Sequence, residues 1–178
     1  MTEISPVLSE QLKLLDKEID TINETIRQMD EISKSMKEWC IGVWTGAIAG
    51  AFYLEGNDLV SIEGLATFTF VIPLLFWVAD TSHRVVQRKF IWRSERITEW
   101  LGENGMQNSI AKGEMVGLHL FDLNSRQTRR GNLAYKRLTA TRRVMMFRTM
   151  YTFYGGLIVC SLALGVWSLW PVVAAWLN

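Results

Sequence analysis

Charge is missing from the last 30 residues of this 178-residue chain: Thr149 to Asn178 contains no Asp, Glu, Lys, Arg or His. A solvated helix of that length carries charge on its outer face, so this stretch is expected in hydrocarbon rather than on a protein surface. Histidine is scarce as well. His83 and His119 are the only two, far apart and without a ligand-spaced companion, so no metal site is expected. The two cysteines, Cys40 and Cys160, sit inside apolar runs with no partner at metal or redox spacing and read as small buried hydrophobes. There is no glycine-rich phosphate loop, no nucleophile elbow and no metal motif. Catalytic residues and cofactors are therefore not assigned, and an enzyme is the least expected class. No secretory signal precedes the first apolar run, which is expected to act as its own insertion signal.

What the chain does contain is apolar mass: 49% hydrophobic residues, eight Trp and a mean hydropathy of +0.10. The net charge of +1 conceals a strong asymmetry. Residues 1–37 hold eight acids against five bases, whereas residues 80–148 hold fourteen bases against six acids. Three apolar runs stand between and after these segments: Trp39–Leu54, Gly64–Ala79 and Met150–Leu177. The first is short for a span, since about 20 residues cross a bilayer core, but Ser35, Met36, Lys37 and Glu38 can extend it into the headgroups. In the third, Trp167, Trp170 and Trp176 at one end and Tyr151, Phe153 and Tyr154 at the other read as interfacial belts.

The expected fold class is an all-α membrane protein with three transmembrane helices. Its parts are a cytoplasmic amphipathic, coiled-coil helix (1–37), a transmembrane hairpin (38–80), a basic cytoplasmic helical segment (81–148) and a third span (149–178). Lys and Arg collect in the 81–148 segment and are absent from Glu55-Gly56-Asn57-Asp58. The positive-inside rule then puts the N-terminus in the cytoplasm and the C-terminus outside a bacterial inner membrane.

The N-terminal segment repeats in a 4-3 pattern: Leu8, Leu12, Leu15, Ile19, Ile22, Ile26, Met29, Ser33 and Met36. Leu12, Ile19, Ile26 and Ser33 take position a, and Leu8, Leu15, Ile22, Met29 and Met36 take position d. Isoleucine at both positions favours more than two strands. Packing inside one chain is an equal alternative to self-assembly, because the acidic helix has no basic partner across a parallel seam and the basic helix after the second span offers Val86, Phe90, Ile97 and Leu101; the two are compatible in a multi-subunit bundle. Ser5-Pro6 starts the first helix, and Gly102–Gly105 stops the basic one. Residues 106–125 read as a loop or strand-like insert, with weak alternation through Leu118-His119-Leu120-Phe121-Asp122-Leu123.

Gly42, Gly46 and Gly50 lie four apart and form one stripe on the first span. Such a stripe lets a second helix approach closely, either within a subunit or between subunits. Pro73 in the second span frees the Thr69 carbonyl and is expected to kink the helix, as a packing feature or as a gate hinge. The apolar runs hold no ionisable residue in their cores, so active transport is not expected. A pore would have Glu63 at its outer mouth and Asp80 at its inner one, with a dewetting gate between. Arg129, Arg130, Arg137, Arg142 and Arg143 belong to a basic stretch suited to anionic lipid headgroups or a phosphate-bearing ligand. Aromatic interleaving is thin there (Tyr135, Phe147), so nucleic acid is not an expected partner.

Leu75-Phe76-Trp77-Val78-Ala79-Asp80, the following basic helix with Arg88 and Phe90, and Phe153-Tyr154-Gly155 at the start of the last span resemble small bacterial membrane proteins of the SLATT-like kind, found with anti-phage defence genes. The resemblance covers the layout of residues 25–165. It implies a membrane effector that assembles and permeabilises the inner membrane when a sensor protein or nucleotide signal fires. The function expected is thus a homo-oligomeric, pore-forming or membrane-perturbing effector gated through its cytoplasmic helices. The alternative is a non-conducting anchor or scaffold that recruits a soluble cytoplasmic partner through the coiled coil. A holin-like lysis protein fits the size but not the long cytoplasmic segment.

Overall fold

The computed structural model describes residues 5–55, 69–102, 104–122 and 133–177, and every regular element among them is a helix. In chain order these are α1 (Pro6–Glu55), α2 (Val71–Gly102), α3 (Gly105–Lys112), α4 (Leu133–Leu138), α5 (Thr141–Met145) and α6 (Arg148–Leu177). The all-α class is as expected. The chain divides into two compact units, Met1–Glu31 with Arg84–Ala140, and Ile32–His83 with Thr141–Asn178.

Helix α1 begins where the sequence allows it, with Pro6 in a first turn whose amides have no intrahelical acceptor. Ser9 N–H donates to the Ser5 carbonyl at 3.0 Å. Its exposed face is laced by Arg27, which reaches Glu24 at 2.8 Å and Glu31 at 3.0 Å. The hydrogen bonds from Arg27 and then Gln28 hold the Glu24 carboxyl below the usual carboxylate range. The same contacts hold the Arg27 guanidinium above its ordinary value.

In the first unit, the heptad residues of α1 pack inside one chain. Leu15 and Ile22 are buried with Ile97 and Trp100 of α2, and Leu12, Ile19, Ile26, Phe90, Met106, Met115, Leu118 and Leu120 pack around them. The d residues Leu8, Leu15 and Ile22 are buried, whereas the a residues Leu12, Ile19 and Ile26 are only half-buried. The buried stripe has therefore turned from the symmetric a/d seam towards the g position held by Glu18, which is 2% exposed. On α2 the contact face is Phe90, Arg93, Ile97 and Trp100. Val86 and Leu101, expected on that face, are exposed.

Glu18 explains the rotation. Arg93 Nε donates to its Oε1 at 2.7 Å and Nη2 to its Oε2 at 3.1 Å. Both side chains are almost wholly enclosed. The pair also holds a strap formed by residues 113–122. Arg93 Nη2 donates to the His119 carbonyl at 2.6 Å, and Phe121 N–H donates to Glu18 Oε2 at 3.0 Å. Phe121 adopts φ 54°, a conformation that costs a bulky residue about 1–2 kcal/mol.

Of the loop or strand-like insert expected over 106–125, residues 105–112 form α3 instead, and residues 113–122 follow as a loop without a strand. The alternation is nonetheless visible in burial, since Leu118 and Leu120 face the cluster while His119 and Phe121 are exposed. The strap's amides and carbonyls bond to side chains instead of to a second strand. Met115 N–H donates to Gln11 at 2.6 Å, Val116 N–H to Ser109 Oγ at 2.9 Å, and Trp100 Nε1 to the Val116 carbonyl at 2.8 Å. Gly113, at φ 74°, ends α3 in the left-handed region.

In the second unit, Cys40, Met150 and Tyr154 form a buried cluster surrounded by Phe76, Trp77, Phe147, Phe153 and Leu157. From Arg148 to Trp167, α6 is long and apolar enough to cross a bilayer, and only 17% of its most apolar window is buried. Trp44 Nε1 donates to Ser161 Oγ at 2.8 Å and fixes the register of α6 on α1. Pro73 is the third residue of α2, and the backbone between helical Thr69 and Val71 is a turn at Phe70, with Leu74 N–H reaching the Phe70 carbonyl at 3.4 Å. Pro73 and Thr69 are both buried.

Candidate functional site

The most concentrated polar chemistry of the second unit is a buried carboxylate. Asp80 is the tenth residue of α2, and its side chain is fully enclosed. Ser33 Oγ of α1 donates to Asp80 Oδ1 at 2.7 Å. Tyr154 OH of α6 donates to Oδ2 at 3.1 Å, and Lys37 Nζ lies 3.8 Å from the same oxygen. Lys37 also reaches Ser33 Oγ at 3.4 Å. Ser33 and Lys37 are one helical turn apart, so α1 presents a hydroxyl and a cation to the same group.

Burying an ionised carboxylate without partners would be prohibitive, and each group here has a share in compensating it. Lys37 supplies the opposite charge, while Ser33 and Tyr154 supply hydrogen bonds to the charged form, the stronger kind. The Trp77 ring stacks on Tyr154, with centroids 6.3 Å apart and planes 13° from parallel, and Phe153 meets Tyr154 edge-on at 4.9 Å. Two polar atoms nearby are buried without a hydrogen-bond partner, Trp77 Nε1 and Thr81 Oγ1. The arrangement can hold three helical segments together, and it is not an evident nucleophile–base pair. Among the described residues, no group of His, Cys, Asp and Glu is placed to hold a metal ion.

Asp80 was expected at the inner mouth of a pore. The structure places it inside the unit, because its carboxylate is satisfied by partners on α1 and α6. Asp80 and Tyr154, which belong to separate motifs of the SLATT-like resemblance, are brought into direct contact. Ser33, Lys37, Trp77 and Thr81 were not foreseen as parts of one site. The available signal was Ser33 itself, a small polar residue at an a position in an otherwise apolar heptad.

The glycine stripe lies elsewhere on α1. Gly42, Gly46 and Gly50 are exposed, and a methyl group on any of them would meet nothing within 4 Å among the described residues. Close packing of this stripe within the chain is thus not observed there. Arg137 on α4 and Arg142 and Arg143 on α5 are exposed, whereas Tyr135 is buried edge-on against Trp92 at 5.1 Å. Arg129, Arg130 and Glu63 lie outside the described residues. No family model, curated protein or solved structure matches this chain.

Proposed function

We propose that this chain is an oligomeric effector of the bacterial inner membrane, which perforates or perturbs the bilayer in anti-phage defence and is gated through its cytoplasmic helices. In this reading the chain crosses the membrane three times, with residues 39–54, 64–79 and 149–177 as spans. The N-terminus and residues 81–148 are cytoplasmic. The observation that carries the reading is the open glycine stripe. Three small residues at a spacing of four, on a face that no described residue of the chain approaches, suit close packing against another copy. The charge-free run of α6 after Arg148 supports the membrane setting, and the resemblance to SLATT-like proteins supplies the defence context.

The isoleucines of the N-terminal seam pack against α2 of their own chain, which favours the glycine stripe over the seam as the contact between copies. The same observation weighs against the non-conducting scaffold, which would recruit its partner through that seam. Exposed Arg137, Arg142 and Arg143 sit at the cytoplasmic surface of the membrane and bind anionic headgroups or a phosphate-bearing signal.

The test is potassium efflux from liposomes of anionic lipid containing the purified full-length chain, with oligomer size measured in detergent. Efflux that is lost in Gly46→Leu together with a fall in oligomer size supports the proposal. Zero conductance in every oligomeric state would remove it, and unchanged size in Gly46→Leu would reject assembly through the stripe.

A further inference from the structure

We infer that the Asp80 cluster is a latch that holds α6 closed against α1 and α2 within the second unit, and that its release is the step that opens the protein. This inference rests on the membrane-perforating reading above only for what opening accomplishes. The latch itself stands on geometry.

Apolar contact is non-directional, so buried polar bonds decide which arrangement of apolar helix faces persists. The faces that meet here are largely apolar, with Cys40, Met150 and Tyr154 at their centre. On this background Ser161 of α6 bonds to Trp44, and Tyr154 bonds to Asp80. The second is special because its acceptor is shared. The carboxylate that Tyr154 grips from α6 is also gripped by Ser33 and Lys37 from α1. One side chain therefore ties three helical segments, and loss of one tie leaves the others with an under-compensated buried charge.

A latch also needs a reason to open, and the closed state contains one. Trp77 Nε1 and Thr81 Oγ1 flank Asp80 on α2 and are buried without hydrogen-bond partners. Each unsatisfied group raises the free energy of this arrangement relative to one in which it reaches water or a new acceptor. The same few residues thus hold α6 in place and carry the cost of holding it.

The two halves of the inference predict opposite signs. Cys40 is fully buried against Met150 and Tyr154, so its modification by a small water-soluble thiol reagent reports separation of α6. The experiment uses the full-length chain in liposomes with Cys160→Ser, which leaves Cys40 as the sole thiol. Tyr154→Phe keeps the ring and its stacking but removes the hydroxyl, and modification of Cys40 should quicken at least about ten-fold, the lower end of the worth of a hydrogen bond to a charged group. Thr81→Val removes an orphaned hydroxyl at nearly constant shape and should slow modification below the parent rate. Efflux of potassium should rise in the first variant and fall in the second. Parent-like modification in Tyr154→Phe, or faster modification in Thr81→Val, overturns the latch. Modification that changes as stated while no variant conducts upholds the latch and overturns the perforating reading.

Discussion

Replacing one member of the Glu18–Arg93 pair should damage the first unit far more than replacing both. Glu18→Gln keeps the shape and one acceptor for Phe121 N–H but leaves the Arg93 guanidinium, 5% exposed, without its counter-charge. Removing one partner of such a buried pair costs about 3–5 kcal/mol. Arg93→Met strands the Glu18 carboxylate, 3% exposed, at a similar cost. In the double variant no buried charge remains, the methionine fills much of the vacated volume, and the glutamine still accepts from Phe121. The chief loss is then the bond to the His119 carbonyl, about 1 kcal/mol. The coupling between the two sites should therefore reach about 5 kcal/mol or more, above the range usual for residues in contact. Hydrogen exchange of the full-length chain in detergent, followed over residues 10–26 and 90–100, reads the opening free energy of this unit. The Phe121 amide reports whether the strap remains docked. Added salt should not reproduce either single variant, since a buried pair is poorly screened. A double variant as unstable as the sum of the singles would refute the reasoning, as would singles within about 0.5 kcal/mol of the parent.

Other consequences are smaller. Gly105→Ala should destabilise the first unit by about 1–3 kcal/mol, because the new methyl would lie 2.5 Å from the Trp100 ring and 2.8 Å from its carbonyl oxygen; a shift in thermal midpoint measures it, and an unchanged midpoint contradicts the packing. Trp44→Phe removes the donor to Ser161 and should cost about 1 kcal/mol, the usual net worth of one such bond; Ser161→Ala should add little to it in a double-mutant cycle. The Glu24 carboxyl, held low by Arg27, contributes to helix stability above its unfolded value, and that contribution disappears as pH falls through the lowered folded value. An NMR titration should find Glu24 back in the ordinary carboxylate range in Arg27→Ala, and an unmoved titration would show that Gln28 or the helix itself sets it.

The heptad of α1 was legible because apolar spacing is a local property. Ile19, Ile22 and Ile26 do line a packed face, and Pro6 does stand in the first turn. The partner face on α2 was misread because an apolar pattern omits charged residues. Arg93 belongs at its centre, and only the carboxylate of Glu18, 75 positions away, makes that burial tolerable. Leu101 was included for its side chain, although Trp100, one residue earlier, has an acceptor for its indole N–H at Val116 and takes the buried place. The alternation at 117–122 was a true signal of burial but a false signal of a strand, since neither Arg93 nor Glu18 is visible from the strap's own sequence. The Asp80 site failed to appear for the same reason. Its members are ordinary residues at positions 33, 37, 80 and 154, and their meaning comes only from convergence.

These polar layers also explain why an isoleucine-rich seam closes within one chain. Isoleucine at a and d favours bundles of several like helices. In a parallel assembly of copies of α1, however, Glu18 would face its own copies beside the seam, and like charges there would lose solvent without gaining a partner. Packing against α2 replaces that repulsion with a bidentate Arg93. Along the same pair, Gln87 Nε2 donates to the Ile26 carbonyl at 3.4 Å, which marks the same antiparallel register. A slip by one turn would separate Glu18 from Arg93 and leave both charges buried, so the register is held by polar groups whose net worth to stability is small. Apolar residues make the helices associate. The few buried polar residues decide with which helix, in which direction and at which register.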